Sequence, residues 1–261
     1  MKVKTRRFEI KFNRAKNRIE RKGQTMFRSM FRQIYNDFLE TATSRPPQMW
    51  IDSVKVNERL VWNKFYQFYG INARLGLMTR ENLVQEKQDP DDIMWINIFE
   101  DKMREIVSAE AGEKIVSIVG TTDEQLKKVV REVLTYGEAE GLGIEKIKDE
   151  LIKRVGLNLR GNAFARARAI AQTEMISASN RASQEAALST NLEMRKYWST
   201  SGLPGIRESH LFAEFDSQDG KKMNERFSNG LMYPGDMNGT ADDIAAEVIN
   251  CRCTVLHEPL Y

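Results

Sequence analysis

With 261 residues, 41% of them hydrophobic and 30% charged, the chain has room for one large domain or two ordinary ones, and for a core that needs no disulfide scaffold. No run approaches the roughly 18 uncharged apolar residues of a membrane span, and no apolar stretch follows the basic start Met1-Lys2-Val3-Lys4-Thr5-Arg6-Arg7, so neither membrane insertion nor signal-peptide secretion is expected. The net charge of +3 conceals an asymmetry: Lys2, Lys4, Arg6, Arg7, Lys11, Arg14, Lys16, Arg18, Arg21 and Lys22 face only Glu9 and Glu20 in residues 1–22, a net of +8 that leaves −5 for the remainder.

That basic arm is either a site of sequence-independent attraction for nucleic acid or acidic protein, or a solvated helix face. Residues 7–42 place Phe27, Met30, Phe31, Ile34, Tyr35, Phe38 and Leu39 at spacings of three and four, which predicts a helix that Pro46 and Pro47 stop. A second helix is predicted over residues 53–69. Its aromatic density (Trp50, Trp62, Phe65, Tyr66, Phe68, Tyr69) suits a core or a protein interface better than base stacking. After Asp89-Pro90-Asp91-Asp92 a third helix is expected to run to about 118, with acidic residues near its positive end and Gly120 terminating it. Thr121 and Glu124 then offer a capping box for a fourth helix, whose inner face is Leu126, Val129, Val130, Val133 and Leu134.

Gly137, Gly141 and Gly143 break the chain before a short fifth helix built on Ile144, Ile147, Leu151, Ile152 and Val155. An Ala-rich helix follows over 161–188. On it Arg166, Ile170, Thr173, Ser177 and Asn180 share one face, with Glu174 and Arg181 on the adjacent stripe; Thr173 and Asn180 suit the satisfaction of buried backbone groups in a neighbouring loop. Beyond 190 the character changes. Residues 195–200 read as a strand, a Gly/Pro loop follows at 202–205, and loop-rich sequence continues to the end apart from a short helix at 240–247. The expected fold class is α+β: a long helical N-terminal region followed by a compact α+β C-terminal domain, with a boundary near 120 that separates an interaction region (1–120) from the domain 121–261.

Cys251 and Cys253 are the only cysteines. One residue apart, they do not make a disulfide framework, and a reducing compartment is expected. With His210 and His257 they form a set of four soft ligands confined to the last 52 residues, the donor types of a tetrahedral Cys2His2 zinc site. The plainer alternative is two small buried apolar side chains and two hydrogen-bonded imidazoles. A nucleophilic arrangement of Cys251 or Cys253 with His210, oriented by Asp219 or Asn250, uses the same residues and makes a metal- or Cys-dependent hydrolase the alternative function. No phosphate loop or dinucleotide fingerprint occurs. Alternation puts Cys251 and Cys253 on one face and Arg252 on the other, which suggests a clasp fastening the chain's last segment to the long helix and the His210 segment, with or without zinc.

Taken in order, Ala169-Ile170-Ala171-Gln172-Thr173-Glu174, Ser179-Asn180-Arg181-Ala182, Lys196-Tyr197-Trp198-Ser199-Thr200, Arg207-Glu208-Ser209-His210, Asp219-Gly220, Phe227, Pro234-Gly235-Asp236 and Asn250-Cys251-Arg252-Cys253 resemble the phage Mu F-like head morphogenesis proteins over about residues 120–257. Two departures are Gln172, where the family usually has Arg, and Leu203-Pro204-Gly205-Ile206-Arg207, where many relatives have an Asp-x-Arg-Val-Arg type of sequence. The resemblance implies a non-enzymatic minor head protein of a tailed bacteriophage or prophage, present in few copies in the virion and assembled in the host cytoplasm. Its partners would be the portal protein, the major capsid protein and, through the basic arm, non-specific double-stranded DNA. It also marks Thr173, Glu174, Asn180, Trp198, Arg207, His210, Asp219, Gly220, Asn250, Cys251, Arg252 and Cys253 as family-motif residues.

Overall fold

A computed structural model describes residues 3–84, 92–202 and 204–260. Within them a mostly helical region precedes a C-terminal segment with a small antiparallel sheet and short helices, as the α+β expectation requires. The elements are α1 (Val3–Thr43), α2 (Glu58–Val84), α3 (Asp92–Glu110), α4 (Gly112–Ala139), α5 (Ile144–Asn158), α6 (Phe164–Leu188), β1 (Met194–Ser199), α7 (Glu208–Asp216), β2 (Lys221–Lys222), α8 (Ile244–Val248) and β3 (Thr254–Pro259). Among the described residues no helix is long and apolar enough to cross a membrane. Residues 89–91, expected to lead into the third helix, lie outside the described residues.

The chain does not part at 120. It forms two compact units, each assembled from separate stretches: Met1–Gly23, Tyr66–Glu110 and Ala169–Tyr261 in one, Gln24–Phe65 and Ala111–Arg168 in the other. The helix break comes at Ala111, and α4 runs through Gly120. Thr121 does not cap a new helix; its hydroxyl donates back to the Ser117 carbonyl at 2.7 Å. A mid-helix glycine costs about 1 kcal/mol relative to alanine. The inward stripe of Ile115, Thr122, Leu126, Val129 and Val133 on either side of it outweighs that cost.

In the second unit the latter part of α1 buries Phe27, Phe31, Ile34, Tyr35 and Phe38, and Phe27 meets Phe65 edge-on at 5.4 Å. The aromatic cluster is core here, as expected for Trp50 and Phe65. Gly137 admits α5 closely, since a Cβ there would lie 2.8 Å from Ile147. A single π-turn, Leu159–Ala163, leads from α5 into α6, and the Tyr35 hydroxyl donates to Asn158 Oδ1 at 2.6 Å.

In the first unit, Ala171, Ala178, Ala182 and Ala186 make a low-profile surface on α6. Against it α2 approaches closely enough that a Cβ at Gly76 would stand 3.1 Å from the Ala182 carbonyl. Tyr69 donates to the buried Glu174 carboxylate at 2.6 Å, and Thr79 to Ser183 at 3.2 Å. The sheet has the order β2-β1-β3, all antiparallel, with Lys196 opposite His257, Trp198 opposite Val255 and Ser199 opposite Thr254. Helix α7 and strands β2 and β3 occupy sequence expected to be loop. Ile176, Trp198, Ala213, Phe227, Leu231, Tyr233, Val248, Cys251, Cys253 and Val255 form one buried cluster over the sheet.

Candidate metal centre

Three elements of the first unit deliver the site. His210 lies in the first turn of α7 and, with Ala213, faces inward. Ser217 ties that helix to β1 by donating to the Ala213 carbonyl at 2.8 Å and accepting from the Trp198 amide at 3.0 Å. The Trp198 ring meets the His210 ring edge-on at 5.1 Å and Phe227 likewise at 5.1 Å, so the imidazole is held between packed aromatics. After α8 the chain turns at Asn250, whose φ of 58° is a left-handed conformation that asparagine tolerates. The turn is fixed to α6: Thr173 accepts from the Asn250 amide at 3.4 Å, and Gln172 donates to the Asn250 carbonyl at 3.2 Å. The extended Cys251-Arg252-Cys253 then sends both sulfurs inward and Arg252 outward, as alternation requires.

His210 Nδ1 lies 3.7 Å from Cys251 Sγ and 3.4 Å from Cys253 Sγ, with all three side chains no more than 3% exposed. Zn–S and Zn–N bonds of about 2.3 and 2.05 Å at a tetrahedral angle give an S···N separation of about 3.6 Å, which the two observed distances bracket. His210 Nε2 lies 3.0 Å from Glu247 Oε2, though poorly aligned for a hydrogen bond. Glu247 is positioned by Ser209, which donates to it at 2.9 Å, and by Asn229 at 3.3 Å. A carboxylate behind the far nitrogen of a ligating imidazole is the usual second layer of a zinc site. The Trp198 indole N–H is buried without a well-placed acceptor and adjoins Cys253, whose thiolate it favours. The Cys251 thiol is pulled well below its ordinary value, first by the hydrogen bond from Cys253 and then by His210, so it loses its proton first. Cys253 is pushed up because it supplies that hydrogen bond and because it is buried. This cluster can hold a metal ion such as zinc, and among the described residues it is the one group of donors so arranged.

His257 is not part of it. Strand β3 carries it four residues beyond Cys253, about 13 Å at the rise of an extended chain. There its Nε2 meets Gln184 Oε1 at 3.0 Å and its Nδ1 meets Ser183 Oγ at 3.4 Å. Burial depresses it to about 3, so it is a neutral, hydrogen-bonded core histidine. Asp219 is exposed in the turn before β2 and outside the donor group, while Gly220 there has φ 76° and no room for a Cβ beside Arg195 and Tyr197.

Other motif residues fasten this same region. Asn180 donates to the Pro234 and Cys253 carbonyls at 2.9 and 3.2 Å and accepts from the Val255 amide at 2.9 Å. Arg207 donates to the Ile249 carbonyl. Arg252 donates to Gln172 Oε1 at 2.8 Å, so Gln172 supplies both a donor and an acceptor to the turn. The Pro234-Gly235-Asp236 loop passes over α6 so closely that a Cβ at Gly235, with φ 87°, would stand 2.8 Å from the Ser177 backbone. Asp236 shapes that loop by accepting from the Met232 and Asn238 amides at 2.9 Å each.

The basic arm divides by face. Arg7, Lys11, Arg14, Arg18, Arg21 and Lys22 are exposed, the first five at helical spacings of four, three, four and three. Lys16 is buried and leaves the candidate nucleic-acid set: it donates to Thr254 Oγ1 at 2.8 Å and reaches the Cys253 carbonyl at 3.5 Å. Burial lowers it to about 8 against the opposing pull of the two cysteines and Glu20. Lys2 and the side chains of Lys4 and Arg6 lie outside the described residues. Sequence reasoning missed Glu247 and Lys16. The only hint of the first was its i, i+4 spacing to Cys251, and nothing local marked the second. No protein-family model matches the chain, and neither does any curated protein or solved structure.

Proposed function

We propose that this chain is a minor head protein of a tailed bacteriophage or prophage, acting in head morphogenesis at or near the portal, within the virion once assembled and in the host cytoplasm before. The observation that carries the reading is convergence. The residues of the resemblance are scattered from Thr173 to Cys253, yet Thr173, Asn180, Trp198, Arg207, His210, Gly235, Asn250, Cys251 and Cys253 are all spent on closing one small assembly of α6, α7, the sheet and the terminal turn. Motif residues that bond to one another make an inherited structural unit a better account of their order than chance. In this reading the His210, Cys251 and Cys253 cluster holds a structural zinc, and the portal or major capsid protein is the partner. The exposed basic face of α1 contacts that partner or passing double-stranded DNA, without reading its sequence. Mass spectrometry of purified heads and proheads, with co-purification on the portal, tests it: the protein is expected in both, and its absence from both would refute the proposal.

One observation favours the alternative, a metal-dependent hydrolase: three protein ligands leave zinc a fourth position, as catalytic sites do. Weighing against it, all three side chains are buried, which denies a substrate approach. Turnover of peptide or nucleic-acid substrates that His210→Ala abolishes while the protein stays folded would establish it.

A further inference from the structure

We propose that metal occupancy at His210, Cys251 and Cys253 is coupled to the seating of the N-terminal arm, so that zinc holds residues 7–23 of α1 in place and its loss releases them. This rests on the zinc reading above. In α1, Glu9, Asn13, Lys16 and Glu20 recur at intervals of four, three and four and therefore share one face, away from the exposed basic stripe. Each has a partner on the edge of the metal cluster or the strand beside it. Ser199 donates to Glu9 at 2.7 Å, and Thr254 to Asn13 at 3.3 Å. Lys16 donates to Thr254 and reaches the Cys253 carbonyl. Arg252 pairs with Glu20 at 3.7 Å.

Residues 251–254 thus work on two sides. Cys251 and Cys253 turn to the imidazole, while Arg252, the Cys253 carbonyl and Thr254 receive the arm. Metal–ligand bonds fix sulfur positions to within a few tenths of an ångström, and the acceptors of Lys16 belong to the second sulfur ligand and its neighbour. A buried ammonium is costly unless those acceptors stay in place, so disorder in the segment is felt directly at α1. Coupling between two sites is reciprocal: releasing the arm must weaken zinc as much as removing zinc weakens the seat, and loss of the Lys16 ammonium is a step toward that release.

The full-length protein, purified without chelator, is assayed for zinc, and hydrogen exchange is followed in peptides from residues 7–23 before and after chelation. One zinc per chain is expected, with exchange in that segment rising about tenfold or more on chelation, because local opening becomes cheaper. Lys16→Met should raise exchange there with zinc still bound and lower zinc affinity, by at most the factor by which chelation raises exchange in the wild type. Absence of zinc would overturn both this inference and the zinc reading. Zinc present, with exchange in 7–23 unchanged by chelation, would overturn the coupling and leave the zinc reading standing. Where chelation unfolds the whole chain, Lys16→Met decides: wild-type zinc affinity with residues 7–23 still protected overturns the coupling.

Discussion

Asn180 is the side chain whose removal should tell most about how the C-terminal region is closed. It is fully buried, and its carboxamide spans three stretches: it donates to Pro234 and Cys253 carbonyls and accepts from the Val255 amide. In Asn180→Ala the Val255 N–H and the Pro234 carbonyl are left without these partners, while the Cys253 carbonyl keeps Lys16 at 3.5 Å. At roughly 1–3 kcal/mol for each buried group left unpaired, the two make about 2–6 kcal/mol, and a central value of about 4 kcal/mol is expected. Set against the roughly 5–15 kcal/mol that holds a typical domain together, that is a large share. Urea unfolding followed by circular dichroism should show the midpoint falling by about 2 M with the slope unchanged, for a slope near 2 kcal/mol per M. Thr173→Ala is the control: it removes a single long hydrogen bond in an exposed turn and should cost under about 1 kcal/mol. If Asn180→Ala also stays within about 1 kcal/mol of wild type, its carboxamide is not what joins loop and strand to α6.

The remaining expectations are narrower. His257 has a folded value of about 3 against 6.5 when free, so the unfolded chain takes up its proton first; stability from this group is complete above pH 6.5 and falls as pH drops toward 3, by up to about 1.4 kcal/mol per pH unit and about 2 kcal/mol by pH 5. His257→Gln should flatten that slope in melts run from pH 7 to pH 5, and an unaltered slope would mean the imidazole does not stay neutral. Gly235→Ala combines a left-handed φ with a clash against the Ser177 backbone and should cost about 2 kcal/mol or more, read from the same urea curves; a neutral effect would show that the loop can lift off α6. His210→Ala should abolish zinc retention in elemental analysis and His257→Ala should not; equal effects would return His257 to the ligand set. Replacing Lys11, Arg14 and Arg18 with Gln should reduce the salt dependence of duplex DNA binding by a log–log slope of about 0.9 for each phosphate no longer neutralised. An identical slope in the variant would confine that face to protein contacts or solvent.

Some of this architecture is readable in the chain because a local period carries it. Of the stripe Arg166, Ile170, Thr173, Ser177 and Asn180, Thr173 and Asn180 took up the expected task on backbone groups while Arg166 turns to Thr122 and Gln125, and the i, i+2 placement of Cys251 and Cys253 foretold their shared direction. Other features leave no such trace. Helix α7 turns only His210 and Ala213 inward while Leu211, Phe212 and Phe215 stand exposed, so its apolar pattern points the wrong way, and no side chain caps it. Strand β3 is buried at four successive positions, Thr254 to His257: Val255 joins the core, His257 meets α6, and on the other side Lys16 and Asn13 of α1 reach Thr254. Alternation therefore vanishes there. Gly120 looked like a terminator because propensity is local, whereas α4 is held by residues a turn or more away on both sides. Lys16 was one of ten basic residues, and only the tertiary fold separates it from the six described as exposed. His257 has the right chemistry and nearly the right number, but an extended chain travels about 3.3 Å per residue and takes it out of reach.

The pairing of Lys16 with Thr254, 238 residues apart, also dictates when the first unit can be finished. At a synthesis rate of roughly 5–20 residues per second, the ribosome delivers the second partner some 10–50 s after the first. The other unit, complete by Arg168, has every residue it requires well before then. Throughout that interval Lys16 and Asn13 lack the Thr254 hydroxyl that both meet in the folded chain, so this part of α1 is without its C-terminal anchor. In ribosome-bound chains of increasing length, protection of residues 7–23 from hydrogen exchange is expected to reach its full extent only after Thr254 has left the exit tunnel, and full protection in shorter chains would refute this order.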